Sequence, residues 1–324
     1  MSGSILCFGE ALIDFHGQLK DGSDRSFVPF AGGAPANVAV AAARLGGQAK
    51  FIGMLSTDMF GDLLADSLEQ AGVDIRYTVR TDQANTALAF VALDPEGERS
   101  FTFYRPPAAD LLFRETHFQP EAFAQAAVFH VCSNSMTEVD IAAATRSGMR
   151  QAREHKALVS FDVNLRPNLW AAGEDPKPVI WEALQLADIV KLSAEEFEFL
   201  AEDGEEAMLQ RLWQGAPQLL IVTHGADIIR WFSRDAEGEL PSFKVQTVDA
   251  TAAGDAFVGG LLLQLDQHGI GPDELPRLIS ELPRLHAIIR FASACGGLTA
   301  SRKGSFVALP DQQEVLDFLD QQTA

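Results

Sequence analysis

The run Val248-Asp249-Ala250-Thr251-Ala252-Ala253-Gly254-Asp255-Ala256-Phe257 sets small side chains before a helical stretch, Ala256–Leu265, with a carboxylate at its first turn. Small residues there let backbone N–H groups approach an anion, and a helix N-terminus adds about half a positive charge. Asp255 so placed can take a proton from a hydroxyl while neighbouring amides stabilise charge building on a migrating phosphoryl group. The same run also reads as a helix cap with tight packing, and spacing alone does not separate the two. A second turn, Ala31-Gly32-Gly33-Ala34-Pro35-Ala36-Asn37, exposes amides and offers Asn37 as donor and acceptor, which suits sugar hydroxyls or a purely structural turn. Asp14 follows Gly9-Glu10-Ala11-Leu12-Ile13, at the expected end of the first strand, where a carboxylate accepts from vicinal hydroxyls or closes a turn. Asp162-Val163-Asn164-Leu165-Arg166 leaves another strand at the same edge, and Arg166 there meets a phosphate or makes a surface salt bridge. Neither Gly-x-Gly-x-x-Gly nor Gly-x-x-x-x-Gly-Lys-Ser/Thr occurs, which argues against a nicotinamide oxidoreductase and a P-loop enzyme.

Positioning these residues requires strands and helices in alternation. Short apolar runs recur at Ile5–Phe8, Phe51–Leu55, Val128–Cys132, Leu158–Phe161, Ile189–Leu192, Leu219–Val222 and Ile228–Phe232. Between most of them lie stretches with helical spacing, such as Ala36–Leu45, Gly61–Ala71, Glu138–His155, Trp181–Ala187 and Glu206–Trp213. The pattern predicts a three-layer α/β/α body around a mostly parallel sheet covered on both faces. Two segments differ. Thr86–Leu93 and Arg99–Arg105 flank the turn-rich Asp94-Pro95-Glu96-Gly97-Glu98, and Phe101 and Phe103 alternate with Ser100, Thr102 and Tyr104, the period of an antiparallel strand. With Ile13–Leu19 and Phe27–Phe30 they predict a small β-sheet lid. The expected division is residues 1–12, 32–85 and 106–324 for the body and 13–31 and 86–105 for the lid. A lid that excludes water protects a group-transfer reaction from hydrolysis.

The 324 residues are 47% hydrophobic and 22% charged, enough for a large core and against disorder. Lys and Arg number 25 against 45 Asp and Glu, a net charge of −20 that disfavours nucleic acid and anionic membranes as partners. Cys7, Cys132 and Cys295 have no metal-type spacing and sit in apolar runs, so a reducing cytoplasmic setting is expected. No signal peptide is expected, and no apolar run approaches the ~20 residues of a membrane span.

The ordered set Gly9-Glu10-x-x-Ile13-Asp14, Gly32-Gly33-x-x-x-Asn37, Gly53-x-x-x-x-Asp58-x-x-Gly61, Asp162-x-Asn164-x-Arg166 and Asp249-x-Thr251-Ala252-Ala253-Gly254-Asp255 resembles the ribokinase-like (PfkB) family of carbohydrate kinases from about residue 5 to 315. Phe103-Tyr104-Arg105-Pro106-Pro107-Ala108-Ala109-Asp110, Asn164-Leu165-Arg166-Pro167-Asn168-Leu169-Trp170 and Val190-Lys191-Leu192-Ser193-Ala194-Glu195-Glu196 look most like the fructokinases of that family. The resemblance implies a ribokinase-like fold and ATP-dependent phosphorylation of a sugar's primary hydroxyl, fructose to fructose 6-phosphate. It makes Asp255 the base and Ala252, Ala253 and Gly254 the anion hole. It implies sugar contacts from Asp14, Gly32, Gly33, Asn37, Arg105 and Arg166, and ATP contacts from Asn164, Lys191, Glu196, Thr223, Gly225, Ser293 and Gly297. Mg2+ accompanies the nucleotide, and Asp249 and Thr251 match part of a site for a monovalent cation such as K+. A homodimer through the lid is also expected. Three positions depart from the family pattern: Ala252 replaces a glycine, Ser193 replaces the Asn of Asn-x-x-Glu, and Ile228 replaces the last glycine of Thr-x-Gly-x-x-Gly. A right-handed backbone at Ala252 is expected to keep the anion hole intact. Two alternatives stay open: a kinase for 2-keto-3-deoxygluconate, whose carboxylate would face Arg105 and Arg166, and a catalytically silent sugar sensor.

Overall fold

The continuous apolar runs become strands buried on both faces, and their alternation sorts side chains into two cores. Ile5, Cys7, Val128, Leu158, Ile189, Leu219 and Ile221 face one side of the central sheet. Leu6, Phe8, Phe129, Val131, Val159, Phe161, Val190, Leu192 and Leu220 face the other. A period of two in a strand apolar throughout leaves no face for water, so helices must cover both. The computed structural model describes residues 3–19, 25–93 and 99–322. Its strands are β1 (Ser4–Phe8), β2 (Leu12–Leu19), β3 (Arg25–Gly32), β4 (Ala49–Ile52), β5 (Met54–Ser56), β6 (Val79–Thr81), β7 (Leu88–Leu93), β8 (Arg99–Tyr104), β9 (Ala126–Cys132), β10 (Leu158–Asp162), β11 (Ile189–Ser193), β12 (Leu219–Thr223), β13 (Ile228–Phe232) and β14 (Glu237–Pro241).

The eight-stranded sheet runs β14-β13-β12-β11-β10-β9-β1-β4, parallel from β12 to β4 and antiparallel at the β12-β13-β14 edge. Helices Ala34–Arg44, Ala253–Gln267 and Leu282–Ala300 pack on one face and Val139–Glu154 and Lys177–Leu184 on the other, the expected three layers. From β1 the chain reaches β4 on one side, whereas β9, β10, β11 and β12 step out on the other. The carboxyl ends of β1 and β9 therefore flank the switch point where open α/β sheets bind ligands.

A second sheet, β3-β2-β7-β8, is antiparallel except between β2 and β7. Alternation divides its faces too. Leu12, Ala89 and Phe103 share a small apolar cluster on the inner face, while Phe15 and Phe90 stack at 5.1 Å on the outer one. Segment 94–98 lies outside the described residues. Two expectations are corrected. Asp14 does not close the first strand but lies within β2, paired with Phe30 of β3 and Ala89 of β7, so the small sheet carries it. The run Phe51–Leu55 is not one strand: it breaks at Gly53, with β4 in the central sheet and β5 paired to β6.

Asp58 joins the small sheet to the body. It caps the helix Met59–Gln70, its Oδ1 accepting from the amides of Phe60 at 3.1 Å and Gly61 at 2.8 Å. The same carboxylate accepts from Thr86 N at 2.8 Å and Thr86 Oγ1 at 2.7 Å, just before β7. Partial burial works to raise its carboxyl, but the bonds from Thr86 and Gly61, with Ser56, hold it below the usual range. Asp58→Ala should lower the free energy of unfolding by about 2 kcal/mol, the loss of a cap and its side bonds, read from urea denaturation midpoints.

Candidate active site

Asp255 sits in the first turn of the helix Ala253–Gln267, where the amides of Gly254 and Asp255 precede any i−4 carbonyl. Its Oδ2 accepts from Asn37 Nδ2 at 2.7 Å, a bond spanning 218 residues between two helix N-termini. Burial pushes the Asp255 carboxyl up to about 7, against the Asn37 bond and with Asp162 adding to it. A carboxyl poised there is matched to proton abstraction near neutral pH. The backbone before it corrects one expectation. Ala252 is left-handed, at φ 60 and ψ 6, rather than right-handed. The Ala253 amide, one of the three expected to face an anion, donates to the Ala250 carbonyl at 3.2 Å. An alanine in that conformation costs about 1–2 kcal/mol.

The Gly33 turn is built around Glu10. Gly33 has φ 105, and a Cβ there would lie 2.6 Å from the Glu10 carbonyl oxygen and 2.8 Å from Ala11 Cα, so the chain needs glycine. The buried Glu10 carboxylate accepts from Ala34 N at 3.3 Å, Asn134 Nδ2 at 3.2 Å and Ser135 Oγ at 3.0 Å, tying β1, β9 and the helix Ala34–Arg44 together. Among the described residues the buried oxygens Asn37 Oδ1 and Asn134 Oδ1 have no hydrogen-bond partner. Both asparagines line the same cleft, and buried acceptors of this kind call for ligand donors such as hydroxyls. Asp14 Oδ2 accepts from Ser305 Oγ at 3.1 Å, and burial lifts its carboxyl to about 6.

At the ends of β10 and β11, Lys191 Nζ lies 3.2 Å from each Asp162 oxygen. Burial disfavours both charges. Asp162 rises to about 6, whereas Asp162 and Glu196 hold the lysine above its usual range. Glu196 accepts from Leu165 N and Ser193 N, each at 2.7 Å, and Ser193 Oγ accepts from Glu196 N at 3.2 Å, a capping box. Ser193 thus fills its departing position as a helix cap. Asn164, at φ 40, uses the tolerance of asparagine for the left-handed region.

A cleft of about 390 Å³ is lined by Asp14, Gly33, Asn37, Arg105, Asn164, Arg166, Lys191, Glu196, Thr251, Ala252, Gly254 and Asp255. A second cavity of about 190 Å³ is lined by Thr223, Gly225, Ala253, Ser293 and Gly297 among others, and the two share Ala250 and Gly254. Of the expected nucleotide residues, Asn164, Lys191 and Glu196 line the first cavity with the sugar set and Thr223, Gly225, Ser293 and Gly297 the second, and the two cavities meet at the start of the Asp255 helix. Gly32 and Asp249 stand behind the first cavity: a Cβ on Gly32 would lie 2.4 Å from Asp14 Oδ2, and Asp249 accepts from Thr251 N at 2.8 Å and Gly304 N at 3.2 Å. A larger groove of about 720 Å³ between Phe197, Arg230 and Lys244 contains none of them. Glu10, Phe103 and Asn134 also line the cleft and were not singled out from sequence. Glu10 lay inside a quoted motif. Asn134 was findable only as a polar residue just past β9, at the switch point. Among the described residues no group of three or more His, Cys, Asp or Glu could hold a metal ion.

The chain matches the pfkB family carbohydrate kinase profile over residues 2–312. It is 42% identical to fructokinase-1 of Oryza sativa subsp. japonica over 321 residues, 98% of this chain and 97% of that protein. Its fold is similar to the crystal structure of fructokinase with bound ATP from Xylella fastidiosa, with TM-score 0.96, 52% identity and full coverage of both chains. It is also similar to the fructokinase from Vibrio cholerae O395 in fructose-, ADP- and calcium-bound form, with TM-score 0.85, 32% identity and coverage of 98% and 99%.

The left-handed Ala252 gives a direct test of the backbone. Ala252→Gly should raise the unfolding free energy by about 1 kcal/mol, strain relief outweighing the entropy of glycine, as read from the urea midpoint.

Proposed function

Because the chain belongs to the pfkB family of carbohydrate kinases, we propose that it transfers the γ-phosphoryl group of ATP to the primary hydroxyl of fructose, giving fructose 6-phosphate and ADP. The observation that carries this reading is the buried Asp255 carboxylate at a helix N-terminus, hydrogen-bonded to Asn37 and standing where two cavities meet. The similarity to fructokinases from three organisms names the sugar.

Fructose occupies the larger cleft, where Asp14, Asn37 and the Gly33 turn offer acceptors and amides to its hydroxyls, Gly32 keeping room beside Asp14. Asp255 takes the proton of the primary hydroxyl as its oxygen bonds to the γ-phosphorus and the bond from phosphorus to the ADP oxygen breaks. The Gly254 and Asp255 amides face the oxygens on which charge accumulates. ATP lies along the smaller cavity between Thr223, Gly225, Ser293 and Gly297, its phosphates directed to Lys191, Asn164 and the exposed Arg166. Mg2+, when bound, neutralises phosphate charge in a chain of net charge −20. The buried carboxylates Asp162 and Glu196 would attract it. Asp249, buried and close enough to Asp14 to raise its pKa, suits a monovalent cation such as K+ with Thr251.

The small sheet, residues 13–31 and 86–105, acts as the lid, closing Asp14 and Phe103 over the sugar. Its outer face leaves Phe27 46% and Tyr104 65% exposed around the Phe15–Phe90 stack, an apolar surface that suits a second copy of the chain. Three buried free cysteines suit a cytoplasmic setting, and no helix among the described residues is long and apolar enough to cross a membrane.

Two measurements test the chemistry. Asp255→Ala should lower kcat at least about a thousandfold with fructose KM changed less than about threefold, since a base acts only in the transition state. Unchanged kcat would remove Asp255 from the mechanism. Because the base works only when deprotonated, kcat/KM for fructose should rise about tenfold per pH unit below pH 7 and level off above it.

A further inference from the structure

Arg105 lines the sugar cleft from the end of β8 yet is only 2% exposed, and its charge is already engaged. Its Nε and one terminal nitrogen both donate to Asp110 Oδ2, at 2.9 and 2.6 Å, while the other terminal nitrogen donates to Thr137 Oγ1 at 3.3 Å. Burial works against the guanidinium charge, but Asp110 and Glu10 outweigh it and hold Arg105 protonated. The pair is imperfect as a structural device. Asp110 Oδ1 is buried without a partner, and buried ion pairs contribute little stability on balance. Its net effect on the cleft is electrostatic: Arg105 faces the substrate as a hydrogen-bonding group whose positive field is cancelled from behind.

We propose that Asp110 determines substrate class, by neutralising Arg105 so that the cleft accepts a neutral sugar and rejects one carrying a carboxylate. This rests on the sugar-kinase reading above and adds to it a residue outside the cleft wall. A substrate carboxylate placed on Arg105 would have to displace or crowd Asp110 and would also face Glu10, putting three like charges around one cation. A hydroxyl meets no such opposition. Arg166, exposed at the mouth, is left to the phosphates.

The test compares kcat/KM for fructose and for 2-keto-3-deoxygluconate in the parent enzyme, Asp110→Asn and the double variant Arg105→Gln/Asp110→Asn. Asp110→Asn keeps the shape and an acceptor but removes the countercharge. Its acid-to-fructose ratio should rise at least about tenfold, mainly through a lower KM for the acid. The double variant removes the Arg105–Asp110 ion pair as a unit, and its ratio should return to within about threefold of the parent. Equal losses on both sugars in Asp110→Asn would reduce Asp110 to a structural role and overturn the proposal. So would a double variant that accepts the acid tenfold better than the parent, a result readable even if Asp110→Asn does not fold. A parent enzyme that prefers the acid would overturn it as well. Should the parent instead turn over another neutral sugar in place of fructose, only the fructose assignment falls, and the same ratios are measured with that sugar.

Discussion

The hydrogen bond from Asn37 to Asp255 closes the molecule on itself. It joins the first turns of two helices that pack side by side, and both must start where they do for the 2.7 Å contact to exist. At one end, Gly33 adopts a left-handed turn no side chain would fit, with the Glu10 carboxylate holding Ala34 N. At the other, Ala252 takes a strained conformation that swings the helix start toward the cleft. A carboxyl buried to this degree would ordinarily be neutral, and the Asn37 donor, with the charges of Arg166 and Lys191, keeps its ionised form within reach of physiological pH.

Around that bond the cleft is an acidic wall with its buried cations assigned. Lys191 is matched by Asp162 and Arg105 by Asp110, so an excess of buried carboxylates surrounds few engaged positive charges. Such a wall suits hydroxyls, which need acceptors, and repels stray anions until a phosphate arrives with its own counter-ion. The small sheet shares in this arrangement through Asp14, which it carries on its inner face, and through Arg105 at the end of β8.

The body was legible in the sequence because a strand buried on both faces must be apolar throughout, a pattern that survives without knowledge of its neighbours. The order of motifs singled out Asp255 and Asn37, each in the first turn of a helix that local sequence marks, whereas Ser293 and Gly297, expected to meet the nucleotide, lie inside the helix Leu282–Ala300 and were carried by the family resemblance alone. Asp14 was read both as the end of the first strand and as part of the lid segment Ile13–Leu19, because only three residues separate β1 from β2 and nothing local divides the two sheets. Phe51–Leu55 misled for a similar reason: Gly53 changes the chain's direction without breaking the apolar run.

Chemistry-bearing residue types and the two-layered covering of the sheet were therefore determined by sequence alone, through periodicity and short-range turns. Tertiary structure decided which charges cancel. The Asp110 countercharge on Arg105, the unpartnered oxygens of Asn37 and Asn134, and the left-handed Ala252 all depend on segments brought into contact or forced to turn by packing. Electrostatic energy varies with burial and with distances of a few ångströms, and neither is encoded at the level of a single residue or its neighbours in the chain.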